Sequence, residues 1–231
     1  MNKKSIALAL FVSATVIHLA TIIIGNDAFV GMEMINFISK AFLMTSLAAY
    51  AQFSLKNFEK PYQRFIYSAL IFSWMGDILL TWKEELYFLA GLSSFLIAHL
   101  FYIATYYNET GFKNFSILKA KPYLVIPYLI VVSVFLFNGY PKLQWMIIPV
   151  GVYSLVLSAM SSTALNRYKN VNNTSFWTTY VGSVLFMFSD FMIGWTVFVQ
   201  DVSYSRFIIM VTYIAGQYLI VEGLINHAKQ K

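Results

Sequence analysis

Residues 73–80 read SWMGDILL, and they stand inside a long apolar run. Asp77 is thus a carboxylate in a segment whose other side chains belong in hydrocarbon. A second aspartate, Asp190, lies in FMFSDFM at 186–192, inside another apolar run. A charge in the bilayer core is costly and marks a functional site by default, so each aspartate needs a partner or a task.

The rest of the chain agrees that these runs belong in a membrane. Of its 231 residues, 59% are hydrophobic and only 11% are charged, where a soluble domain carries about 25%. No cysteine is present, which removes disulfides, thiolate metal sites and cysteine nucleophiles. The formal charge of +6 sits in short loops between apolar segments, so it fits membrane topology better than nucleic-acid binding.

A bilayer core of about 30 Å takes roughly 20 apolar residues per helix. Eight candidate spans follow: 5–25, 33–53, 63–81, 86–107, 122–137, 143–165, 176–198 and 205–226. The fifth is short and interrupted by Pro127. The first follows Lys3 and Lys4 like a signal peptide, but its length and the absence of a small-residue cleavage site read as a retained helix. The expected fold is all-α, a polytopic membrane protein of eight transmembrane helices forming one domain, 1–231.

Loop charge alternates. One side carries Lys3, Lys4, Lys56, Lys60, Arg64, Lys113, Lys119, Lys121, Arg167, Lys169, Lys229 and Lys231. The other carries Lys83, Lys142 and Arg206, with Asp27, Glu33, Glu84, Glu85 and Asp201 nearby. The positive-inside rule then puts both termini in the cytoplasm, in a bacterial inner membrane or an endoplasmic reticulum. These loop charges all read as topology and solubility.

The ionisable residues read inside spans are His18, Lys40, Asp77, His99, Asp190 and Glu222. Glu222 is near a span end, where it reaches water, and His18 reads as a packing histidine. Lys40, Asp77 and Asp190 are expected at one level in the outer half of the membrane, where a lysine between two aspartates lowers the cost of burying all three. A structural ion pair is the plainer alternative. His99 and Tyr102 are i, i+3 neighbours on one helix face, and Tyr153 and Gln217 add polar groups on later spans.

The aspartate segments also align with each other at an offset of 113 residues, GDILLTW at 76–82 over SDFMIGW at 189–195. The same offset sets Lys40 over Tyr153 and Thr45 over Ser158. Two parallel four-helix halves, 1–112 and 113–231, account for this most simply, and sites at repeat interfaces are known in membrane proteins. Trp82 and Trp195 also suit an outer aromatic belt.

Several chemistries lack their residues: there is no G-x-S-x-G elbow, no H-E-x-x-H and no phosphate loop. The three histidines are scattered, which makes a poor metal site. Two carboxylates do suit general acid–base work. Apolar surroundings favour a neutral carboxyl, which donates a proton, while a neighbouring cation favours the ionised form.

Lys40, Gly76-Asp77 followed by two leucines, Gly91 with Phe95, Ala98-His99, Tyr102, Tyr153 with Met160, Ser189-Asp190 and Gln217 together resemble the YhhN family of integral membrane proteins, which includes animal lysoplasmalogenases. The ordered set covers almost the whole chain. The family often has Lys-Pro in the second span, whereas Lys40 here precedes Ala41. The resemblance implies an eight-helix, cofactor-free hydrolase. It would cleave the vinyl ether bond of a lysophospholipid substrate to a fatty aldehyde and a glycerophospho-alcohol. Asp77 and Asp190 would be its catalytic pair; Lys40 and His99 would position headgroup or water, and Tyr102, Tyr153 and Gln217 would support them. Two other readings remain open on the residues alone. A proton-coupled transporter also uses intramembrane Asp, Lys and His, and a non-catalytic lipid-binding scaffold would need them only for stability.

Overall fold

The computed structural model describes residues 2–25, 31–56, 60–82, 84–110 and 116–229. Asp27, Lys83, Lys113 and Lys231, named among the loop charges, lie outside the described residues. The described chain is helical, without a strand: α1 (Lys3–Ile24), α2 (Met32–Leu55), α3 (Lys60–Leu79), α4 (Glu85–Thr110), a short α5 (Ile117–Ala120), α6 (Ile126–Leu143), α7 (Ile147–Leu165), α8 (Asn173–Phe198) and α9 (Ser205–Ala228). Among the described residues six stretches are long and apolar enough to cross a membrane. They are α1, α2, α4, α8, α9 and the 44-residue stretch Pro122–Leu165, which holds both α6 and α7. This is a helical integral membrane protein. α3 is not among the six: it opens on Lys60 and Arg64 and carries Asp77, and these charges interrupt its apolar run.

Local chemistry sets the helix ends. The Asn2 side chain accepts from the Lys4 N–H at the start of α1, and Asn172 accepts from the Ser175 N–H at the start of α8, each satisfying a backbone donor that the first turn leaves over. Pro127 does not interrupt a helix. A 3₁₀ turn at Pro122–Val125 carries the chain in, and Pro127 falls in the first turn of α6. There its missing N–H has no helical partner to lose. α6 accordingly continues to Leu143, beyond the expected end at residue 137.

The chain forms two compact units, Met1–Phe101 and Tyr102–Lys231. In the first, α2 packs against both α1 and α3. Polar groups between α1 and α2 pair off: His18 Nδ1 lies 3.1 Å from Ser39 Oγ, and Asn36 Nδ2 donates to Thr21 Oγ1 at 2.8 Å. His18 is thus buried and hydrogen-bonded, the surroundings expected of a packing histidine. Between α2 and α3, Trp74 Nε1 donates to the Ala41 carbonyl at 3.1 Å.

In the second unit α8 packs along α9 with the two backbones in close approach. A Cβ added at Gly182 would stand 2.8 Å from the Gly216 carbonyl oxygen, and one at Gly216 would stand 2.9 Å from that of Gly182. Membrane helices lack a hydrophobic drive to associate, so small residues that bring backbones together supply van der Waals contact instead. Backbone cannot rotate away as a side chain can. Gly216→Val is therefore expected to cost about 3 kcal/mol, the upper end of ordinary overpacking, in thermal unfolding of the detergent-solubilised protein. Gly151→Ala, which meets only the Leu136 side chain at 3.9 Å, should shift stability by less than about 0.5 kcal/mol. Equal effects at both positions would refute the close-packed seam.

Candidate functional site

The unit Met1–Phe101 holds the first aspartate. Asp77 is in the last turn of α3 and buried at 3% exposure. Lys40, in the first half of α2, reaches it with Nζ 3.9 Å from Oδ1. The contact is long, and the lysine side chain keeps 16% exposure. The small residue before the aspartate has a steric reason. A Cβ at Gly76 would fall 2.6 Å from Phe95 Cε2, so glycine lets the aromatic ring of α4 close against α3 beside the carboxylate. His99, one helical turn beyond Phe95, is fully buried.

The unit Tyr102–Lys231 holds the second. Asp190 on α8 is buried at 8% exposure, and Tyr153 on α7 donates its phenol hydrogen to Asp190 Oδ2. The residue before this aspartate is again small. Ser189 Oγ donates to the Ile209 carbonyl at 3.0 Å, tying α8 to the early turns of α9. Elsewhere in this unit Tyr102 Oη donates to Gln217 Oε1 at 2.5 Å, with both residues fully buried. That hydrogen bond joins the sequence-chosen Tyr102 and Gln217 in one contact.

The seven chosen residues therefore fall into three pairs and a buried histidine. Lys40 stands with Asp77, Tyr153 with Asp190 and Tyr102 with Gln217. Asp190 and Tyr153 are 37 residues apart in the chain, and so are Asp77 and Lys40. In the low dielectric of a helix bundle a paired carboxylate is tolerated where a lone one is not. Chemically, each aspartate offers a carboxyl that can give, take or stabilise charge away from bulk water. Among the described residues no three His, Asp or Glu side chains gather as a metal site requires.

One assignment is corrected. Arg167, read as a topological loop charge, is fully buried. Its Nε donates to Glu109 Oε2 at 2.5 Å, Nη2 to Ser175 Oγ at 2.7 Å and Nη1 to the Ser175 carbonyl at 3.2 Å. The guanidinium also lies 5.5 Å from the Tyr106 ring centroid. Burial follows because the fork of donors finds an acceptor for each edge. Glu109, its partner, was not among the ionisable residues read inside spans. The usable signal was an acid at the end of the fourth span facing the same loops as Arg167.

A model of the YhhN family matches residues 35–224, an interval containing all seven chosen residues. Among curated proteins, the lysoplasmalogenase TMEM86B of Mus musculus is 31% identical over 154 residues, which is 66% of this chain and 60% of that protein. The lysoplasmalogenase TMEM86B of Homo sapiens is 31% identical over 162 residues, 69% of this chain and 62% of that one. The lysoplasmalogenase TMEM86A of Bos taurus is 31% identical over 160 residues, 67% of this chain and 62% of that one. The matches thus span about three-fifths of these relatives' lengths. No solved structure matches the chain.

Proposed function

The chain belongs to the YhhN family, and on that premise we propose that it is a membrane-embedded hydrolase that cleaves the vinyl ether bond of lysoplasmalogens. One observation carries the reading: two buried carboxylates in a helical membrane protein, one beside the Lys40 ammonium and one accepting from the Tyr153 phenol. Its relatives named lysoplasmalogenases support the substrate class.

The chemistry needs little else. A carboxylic acid protonates the alkenyl carbon remote from the ether oxygen and generates an oxocarbenium ion. Water adds to the cationic carbon and loses its proton to a carboxylate. The resulting hemiacetal then collapses to a fatty aldehyde and a glycerophospho-alcohol. Paired carboxylates serve a similar cation in glycoside hydrolysis. Asp77 and Asp190 take these acid, base and charge-stabilising roles. Lys40 and His99 orient the headgroup phosphate or water, while Tyr153 fixes the Asp190 rotamer and the Tyr102–Gln217 bond braces the bundle. No metal or organic cofactor is required.

The same reading takes the chain as a single transmembrane domain crossing the membrane eight times, with α3, α6 and α7 as separate crossings and both termini cytoplasmic. The alternation of basic loops supports it. Repeat halves 1–112 and 113–231 are supported by the equal spacing of the two aspartate pairs and by the small residue before each aspartate.

Purified protein in detergent, given a 1-alkenyl lysophosphoethanolamine, should release long-chain aldehyde and glycerophosphoethanolamine in equal amounts. A folded protein that releases none would overturn the proposal, and proton-gradient-driven uptake in proteoliposomes would then favour a carrier.

A further inference from the structure

α6 and α8 pack against each other, and an apolar groove of about 290 Å³ runs between them. Ile130 and Val134 line it from α6, and Val184, Met187, Phe188 and Phe191 line it from α8. Ile130, Val134, Val184 and Phe188 are exposed, so the groove opens to the surrounding hydrocarbon. At the Phe191 end, Phe135 meets Phe191 edge-on with centroids 6.0 Å apart. Phe135 also fills the space left by the missing side chain of Gly194, where a Cβ would stand 2.8 Å from its ring.

Asp190 borders that end in the chain: Phe191 follows it and Met187 lies one turn before it, while its own carboxylate turns to Tyr153 of α7 and does not line the groove. From Phe191 back to Val184 the groove follows α8 for about 10 Å at 1.5 Å per residue. In the other direction α8 continues from Asp190 to Phe198, about 12 Å toward the helix end. A lipid reacting at Asp190 would therefore have apolar wall on one side and the route to the membrane surface on the other.

We propose that this groove is the subsite for the alkenyl chain of the single-chain ether lipid. The inference rests on the vinyl ether reading above. In that reaction the hydrocarbon chain begins at the carbon that accepts the proton. The chain subsite must then lie within a turn or so of a carboxyl, and on α8 the lining residues Met187 and Phe191 flank Asp190 in the chain. The groove has no polar lining residue to attract a headgroup, and a cleft between two neighbouring helices takes one chain rather than two.

The test uses the full-length protein and a probe it cannot hydrolyse: a saturated 1-alkyl lysophosphoethanolamine with a diazirine at mid-chain. On irradiation, labelling should saturate and map to residues 130–134 and 184–191. Unlabelled single-chain lipid should displace it, and the same excess of diacyl phosphatidylcholine should not. Val134→Phe and Val184→Phe narrow the groove at exposed positions, where the added ring does not disturb packing. Each should lower labelling and raise KM for a long-chain 1-alkenyl substrate about ten-fold, the scale of a misfit in an apolar pocket, with kcat little changed. Labelling that never saturates, or that diacyl lipid displaces equally, would show a groove filled by bulk lipid and overturn the proposal. Aldehyde release with unchanged KM in both variants would do the same. Saturable labelling without any aldehyde from the parent would instead sink the hydrolase reading and leave a single-chain lipid site.

Discussion

Asp190→Asn is expected to cut aldehyde release by about 10²–10⁴-fold, the usual contribution of a positioned acid or base, in a protein that still folds. The asparagine is isosteric, and its carbonyl can still accept from the Tyr153 phenol that now meets Asp190 Oδ2. Packing of α7 on α8 is therefore kept while the carboxyl chemistry is lost. Asp77→Asn is expected to be as damaging to activity, and it adds a cost in stability. It strands the Lys40 ammonium, which now stands 3.9 Å from Asp77 Oδ1. The stability loss should be at most about 3 kcal/mol, the low end for breaking a buried pair, because the contact is long and the lysine keeps some exposure. Adding Lys40→Met to Asp77→Asn removes the stranded charge and should restore stability without restoring turnover. That double variant separates catalysis from structure. If it recovered both stability and aldehyde release, Asp77 would be a structural partner of Lys40 and nothing more. A folded Asp190→Asn with turnover near that of the parent would remove Asp190 from the chemistry.

The residues of both aspartate pairs were legible in the sequence because hydrocarbon makes every charge conspicuous. Lys40 and Asp77 stand out in apolar runs, and the repeat offset set Lys40 over Tyr153 and Asp77 over Asp190, but the sequence reading did not pair Tyr153 with Asp190. The helices were legible too, since spans of this apolarity have no other backbone solution in a bilayer. What sequence patterning hides is whatever depends on a third dimension at a helix end. Pro127 looked like an interruption because the 3₁₀ turn before it has no apolar signature. Gly182 and Gly216 looked like ordinary span residues, for one glycine in an apolar helix says nothing about which helix will approach it. Arg167 was hidden by its company: among many basic loop residues, burial leaves no mark in composition. Its acid stands 58 residues earlier in the chain, too far for any local pattern to join them.

That buried arginine gives the largest expected loss of stability. Arg167→Met should destabilise the protein by about 3–5 kcal/mol, because it leaves the Glu109 carboxylate buried without its cation. Arg167→Lys should recover little. Lysine keeps the charge but not the fork, and here three separate nitrogens serve Glu109, the Ser175 carbonyl and Ser175 Oγ. Ser175 Oγ itself donates to the Gly223 carbonyl at 2.7 Å, so the arginine indirectly fastens α9 to α8 below their glycine contact. Removing both charges, in Arg167→Met with Glu109→Leu, should return much of the stability, since apolar replacements of a buried pair are often neutral or better. Ser175 and Asp190 are both on α8, separated along it by about 22 Å at 1.5 Å per residue. Below its lowered melting temperature, Arg167→Met should therefore retain aldehyde release within a few-fold of the parent. Thermal unfolding and turnover on the same samples decide the matter. A single Arg167→Met variant as stable as the parent would show that Glu109 finds water without the arginine, and that Arg167 is the topological charge its loop position suggests.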